Sequence, residues 1–319
     1  MSNLSLRREK LEVWFRYQNW VELTQGEVYS ANTDLHSIIN RKISRAGQPM
    51  VKAQRVPIDC LLHSPCIEMQ YYDQGAGETL ILIHGLGAAK ESWRFQIEAL
   101  SQDYRVIALD LRGHGQSGYR VEEPLTIRAL ADDVTALMNK LGLKEAHFCG
   151  LSMGGMIALE IFIRYNLRVK SLILASTAAF FPSPSRLDDF VQLCDSMSMT
   201  EWAQLFTLFT LRREAPPSLR EEVIRMAAAN RRGPYRQALI AAFSIDYRWM
   251  LPLIDVPTLI LVGADDQLTP IGYAKYLKAH IKNSGLQMIP QAAHLTNLEN
   301  PAEFNRHILA HLQECQLGA

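Results

Sequence analysis

Short apolar runs that stop at glycines or turn residues are the strongest constraint on what this chain can fold into. They read TLILIHG (Thr79–Gly85), YRVIALDLRGHGQSG (Tyr104–Gly118), EAHFCG (Glu145–Gly150), VKSLILAST (Val169–Thr177), VPTLILVGADD (Val256–Asp266) and LQMIPQAAH (Leu286–His294). IEMQYYD, from Ile67, alternates instead, as a half-buried strand does. Runs apolar at every position suit strands covered on both faces, the condition of a parallel sheet. Helical patterns fill the intervals, such as MGGMIALEIFIRYN after Ser152. Helices between parallel strands are crossovers, so the expected fold is a doubly wound α/β sheet.

Two regions break the rhythm. Residues Ala178–Leu251 contain helical patterns such as TEWAQLFTLFTL and SLREEVIRMAAANRRG but no strand-like run. They read as a helical insertion between two strands. Residues 1–55 precede the sheet and read as a helical extension, with Leu35, Ile38, Ile39 and Ile43 on one helix face. The expected organisation is therefore an extension (1–55), a core in two pieces (56–177 and 252–319) and a cap (178–251).

Composition narrows the function. Among 319 residues, 33 Lys and Arg balance 33 Asp and Glu, which lacks the basic surplus of a nucleic-acid binder. No apolar run approaches the ~20 residues of a membrane-spanning helix, and charges interrupt MSNLSLRREKLEVWFRYQNW as they would not in a signal peptide. Cys60, Cys66, Cys149, Cys194 and Cys315 are scattered and odd in number, which fits a reducing cytoplasm better than a disulfide framework. Arg7, Arg8, Lys10, Arg16 and other basic residues share the extension with Trp14, Phe15 and Trp20. That pattern suits either an extra packed layer, the preferred reading, or peripheral membrane contact. His307 and His311 stand four apart without an evident third ligand, so no metal is expected.

Chemistry concentrates at the strand ends. Gly150-Leu151-Ser152-Met153-Gly154 places a serine between a strand and a helix, flanked by residues that let the backbone turn tightly. The positive end of the helix dipole there favours developing negative charge. A serine hydroxyl needs a base to become a nucleophile. His294 follows the last run, and Asp265 or Asp266 after VPTLILVG could orient it. The order Ser, Asp, His is that of one known triad arrangement. Donors for an oxyanion are expected from the backbone N–H groups of Leu86, in HGLG, and of Met153. His84 reads as a group bonded within its own loop, and Asp110 as an anchor for the glycine-rich loop after it. Trp202, Leu205, Phe206 and Phe209 recur at one helix face in the insertion. With Phe180 and Phe181 they give the pocket candidates Phe180, Phe181, Trp202, Phe206 and Phe209, the alternative being that the stripe only packs the cap against the core.

Taken together, HGLG, DLRGHGQSG, GLSMGG, GADDQLTP and AAHLTNLENPAEF resemble the α/β-hydrolase superfamily over about residues 57–315. FCGLSMGGMIA is similar to bacterial 3-oxoadipate enol-lactonases and related small carboxylesterases. The resemblance implies an eight-stranded, mostly parallel sheet with a helical cap after the sixth strand. Its G-x-x-D-x-x-x-P pattern, framed by Gly263 and Pro270, selects Asp266 as the acid. It implies cofactor-free hydrolysis of a small-molecule ester or lactone through an acyl-enzyme. Serine at 152 sets the chain apart from dehalogenases and epoxide hydrolases of this fold, which carry Asp there. C–C bond hydrolysis, acyl transfer and a receptor with little turnover are the alternatives the fold leaves open.

Overall fold

The computed structural model describes residues 53–58, 67–121, 123–181 and 187–317. The expectations for residues 1–52, including the Leu35–Ile43 face and the membrane contact, lie outside the described residues, as do Cys60 and Cys66. Eight strands form one sheet: β1 (Gln54–Ile58), β2 (Ile67–Gln74), β3 (Thr79–Ile83), β4 (Arg105–Leu109), β5 (Ala146–Leu151), β6 (Val169–Ala175), β7 (Thr258–Gly263) and β8 (Ser284–Ile289). Their spatial order is β1-β2-β4-β3-β5-β6-β7-β8. β1 and β2 pair antiparallel, β2 joins β4 antiparallel, and every pairing from β4 to β8 is parallel.

The continuous apolar runs have a direct cause. Along β3, Leu80 and Leu82 enter one core while Ile81 and Ile83 enter another, on the opposite face. Side chains alternate across a strand, so a sheet covered twice needs apolar residues at every position. One core is closed by α1 (Arg94–Leu100) and α10 (Pro301–Leu317), through Trp93, Ile97, Phe304 and Ile308. The other is closed by α2 (Ile127–Lys140), α3 (Met153–Tyr165) and α8 (Ile271–His280), through Val134, Ile157 and Leu277. The short α9 (Thr296–Glu299) precedes α10.

Among the described residues between β6 and β7 stand four α-helices, α4 (Leu187–Asp195), α5 (Met199–Thr210), α6 (Pro217–Ala228) and α7 (Arg232–Phe243). Local sequence starts two of them. Ser198 and Glu201 form a reciprocal capping box at α5, and α6 begins at Pro217, where a missing N–H costs nothing. At the other end of the chain, the expected boundary at residue 55 falls inside β1. Gln54 and Arg55 already pair with Tyr71 and Gln70 of β2. Gln54, Arg55 and Pro57 are exposed and Val56 is half-buried, as an edge strand can be, so no apolar run announces it.

Candidate active site

Ser152 occupies the turn between β5 and α3 with φ +56° and ψ −118°. A non-glycine residue held there stores roughly 1–3 kcal/mol of strain and persists only if its surroundings impose it. Here they do. Ser152 N–H donates to the Ala175 carbonyl (2.8 Å), and its own carbonyl accepts from Gly155 N–H (2.9 Å) and Thr177 Oγ1 (2.7 Å). The flanking glycines are required by contact. A Cβ on Gly154 would sit 2.0 Å from the Ile83 carbonyl oxygen, and one on Gly150 2.2 Å from that of Gly154. Only without them can α3 seat on the ends of β3 and β5.

The first N–H groups of α3 lack acceptors within their own helix, so Met153 presents a donor beside Ser152. Ile83 is the register partner of Gly150, which brings the loop after β3 alongside the turn after β5. That loop carries Leu86 between two glycines and is closed by Ala88 N–H to the Gly85 carbonyl (3.2 Å). Asn230, just past α6, holds it from above through Nδ2 to the Gly87 carbonyl (2.8 Å). His84 is bonded inside this framework. Its Nδ1 lies 2.8 Å from the Gly85 carbonyl, and its Nε2 accepts from Leu111 N–H (3.1 Å). Burial pushes its pKa down to about 4, so the ring is neutral and both nitrogens are committed. Asp110 anchors two loops at once. It accepts from Lys90 N–H (2.7 Å) and Gln116 N–H (2.9 Å), and it pairs with the buried Lys90 ammonium (2.8 Å).

Asp266 and His294 meet at the ends of β7 and β8. His294 Nδ1 lies 3.0 Å from Asp266 Oδ2 and 3.2 Å from Oδ1. The pair is buried, with side chains 3% and 0% exposed. Asp266 also accepts from Leu268 N–H, Thr269 N–H and Thr269 Oγ1, each at 2.9 Å. Such a carboxylate fixes the Nδ1–H tautomer and leaves Nε2 as the acceptor. Asp265, its neighbour, points elsewhere: it is 53% exposed and pairs with Arg212 Nε at 2.9 Å. The two loops approach because residue 263 is glycine, where a Cβ would lie 1.9 Å from the Ala293 carbonyl oxygen.

Several of these residues line one cavity. Ser152, Met153, Leu86 and His294 form its floor, and side chains of α5, α6 and α7 form its roof. Of the five aromatic candidates, Phe181 and Phe206 reach the cavity wall and three do not. Trp202 is buried among cap helices, stacked on Phe206 (5.6 Å) and edge-on to Phe190 (5.2 Å), and its Nε1 donates to Tyr235 Oη (2.8 Å). Phe209 packs away from the cavity, toward the cleft that holds Arg212 and Asp265. Phe180 bridges to Asp246, and its ring meets Tyr276, Tyr273 and Arg248. Sequence reasoning missed Thr269, which lies 3.2 Å from His294 Nδ1, and Tyr235, which faces Gly87. Thr269 could have been found from its place just before Pro270. It also missed Glu299, whose carboxylate accepts from Ala293 N–H (2.7 Å) and from Arg212 N–H (2.8 Å). Burial raises the pKa of Glu299, against the pull of these two donors.

Comparison with known proteins accords with this architecture. A family model for the alpha/beta hydrolase fold matches residues 78–301. The 3-oxoadipate enol-lactonase 1 of Acinetobacter baylyi is 31% identical over 231 residues, which is 70% of this chain and 85% of that protein. A thermophilic esterase from Thermogutta terrifontis superposes with a TM-score of 0.78 at 28% identity, covering 82% of this chain and 99% of the esterase. The enol-lactonase from Burkholderia xenovorans LB400 gives 0.73 at 27% identity, with 77% and 97% covered. The chain belongs to the α/β-hydrolase fold family, stands near its bacterial enol-lactonase and esterase members, and is a hydrolase. Among the described residues no helix is long and apolar enough to cross a membrane.

Proposed function

We propose that this chain hydrolyses carboxylic esters or lactones through Ser152, His294 and Asp266. His294 Nε2 takes the proton from Ser152 Oγ as the oxygen attacks the acyl carbon. The resulting oxyanion is held by the N–H groups of Leu86 and Met153, where one such donor contributes about 3 kcal/mol of barrier lowering. His294 then gives its proton to the departing alkoxide. Water enters, loses a proton to the same nitrogen, and releases the acid by the reverse sequence. Asp266 stays ionised and keeps Nδ1–H toward itself throughout. The observation that carries this reading is that His294, buried against Asp266, lines one cavity with the strained Ser152. The names of the lactonase and esterase relatives support the ester or lactone class. A fluorophosphonate probe should label Ser152 alone. Ser152→Ala should lower kcat on aryl esters by about a millionfold while the protein stays folded. Labelling at another residue, or turnover retained in that variant, would remove Ser152 from the mechanism.

A further inference from the structure

We infer that the cavity selects neutral, apolar acyl groups and rejects those ending in a carboxylate. The inference rests on the ester-hydrolase reading above. It concerns what the roof accepts rather than what the floor does. The wall around Ser152 is formed by Met156, Phe181, Phe206, Val223, Met226 and Phe243, with His294 and Tyr235 as the titratable side chains among its described residues; burial pushes the Tyr235 hydroxyl up, so it stays neutral. Several of its polar members bond into the protein. Thr207 Oγ1 donates to the Ala203 carbonyl (2.6 Å), Ser92 Oγ to that of Ala89 (2.6 Å), and Asn297 Nδ2 to that of Ser92 (2.9 Å). Tyr235 Oη is engaged by Trp202.

Among the described residues, four cations of the surrounding elements are committed elsewhere. Arg94 pairs with Glu222 (2.6 Å), Arg212 with Asp265 (2.9 Å), and Lys90 with Asp110 (2.8 Å). Arg232 donates to the carbonyls of Cys194 and Met197. A carboxylate brought into this wall would give up water without gaining an ion pair, which is the costly case of charge burial. A methyl-ended chain of equal length would instead gain apolar contact. The name of the Acinetobacter baylyi relative specifies a lactone of a dicarboxylic acid, whose second carboxylate stays free. This cavity is built for a different acyl tail.

The test compares 4-nitrophenyl hexanoate, the 4-nitrophenyl half-ester of adipate, and its methyl-capped diester, all of one acyl chain length. Rates are corrected with Ser152→Ala. The expected kcat/KM for hexanoate exceeds that for the half-ester by about 100-fold, which is about 2.7 kcal/mol. The methyl-capped diester should fall between them, assigning most of the loss to charge. Val223→Arg, on the half-buried α6 wall, should raise the half-ester relative to hexanoate by about tenfold. Equal rates on hexanoate and half-ester, with Ser152-dependent turnover intact, would overturn the selectivity and leave the hydrolase reading standing. An unchanged ratio in folded Val223→Arg would likewise overturn it. No Ser152-dependent turnover on any of the three would overturn both.

Discussion

The floor of the cavity is held by directional bonds, whereas its roof is held by ring contacts. Asp266 accepts three hydrogen bonds besides its contact with His294, and Ser152 is fixed by three named backbone and side-chain partners. Above them, Phe181, Phe190, Trp202, Phe206 and Phe243 pack with ring centroids 4.5–6.4 Å apart. Hydrogen bonds specify positions closely, while apolar packing tolerates substitution of similar volume. A hydrolase built this way can change its acyl preference through the roof without disturbing the floor.

The comparison breaks most sharply at Asp266. Asp266→Asn keeps an oxygen for Leu268 and Thr269 but favours the wrong His294 tautomer, so single-turnover acylation should slow about 10⁴-fold. Trp202→Ala should act on stability instead, costing about 3–5 kcal/mol in urea unfolding through the cavity left among the cap rings. Its kcat on acetate esters should stay within a few-fold of the parent, if the protein is assayed folded. A large loss of kcat without a loss of stability would place Trp202 on the floor's side of the comparison.

Acid should weaken the floor before the roof. His84 and His114, rings 5.3 Å apart, have pKa values pushed down by burial to about 4 and about 3. Their unfolded value is near 6.5. The unfolded chain thus binds protons first, so the stability they contribute is full above about pH 6.5 and is lost as pH falls toward 4. Thermal unfolding from pH 7 to 4 should show the decline, and hydrogen exchange at Gly85–Ala88 should quicken ahead of α5. A flat profile would show that the two rings titrate together with the unfolded chain.

Smaller effects sharpen the contrast. Phe206→Ala should lower kcat/KM for octanoate relative to acetate by about tenfold, since a wall contact worth about one or two methylenes is lost. A uniform fall across chain lengths would reassign Phe206 to packing. Asp265→Asn should change acylation only a few-fold, because its carboxylate is half-exposed and faces Arg212. A loss equal to that of Asp266→Asn would reverse the assignment of the acid.

What could be read in the sequence follows the same division. β3, β5 and β7 were legible because both their faces are buried, which forces an unbroken apolar run. The turn at Ser152 was legible because its glycines are demanded by contact with Ile83 and Gly154. Asp265 and Asp266 could not be separated by residue type. Their difference comes from a turn in which Asp265 N–H reaches the Ala292 carbonyl and Asp266 N–H that of Gly263. Only the family pattern carried that information. The roof was half legible. Periodicity marked the apolar face of α5 but could not divide it between α4, α7 and empty space. β1 stayed hidden because edge pairing asks little of its side chains.

The strand order has a consequence in time. The loops after β3 and β5 are neighbours in the sheet, and so are those after β7 and β8, yet the sequence separates Leu86 from His294 by most of the chain. Synthesis proceeds from the N-terminus, and pairing over such separations is slow. On the assignment proposed here, Ser152 leaves the ribosome long before its base exists. It remains an ordinary alcohol until β8 docks on β7 and carries His294 to Asp266. Esterase activity in this chain would therefore be a late event, a report that the last parallel strand has found its place.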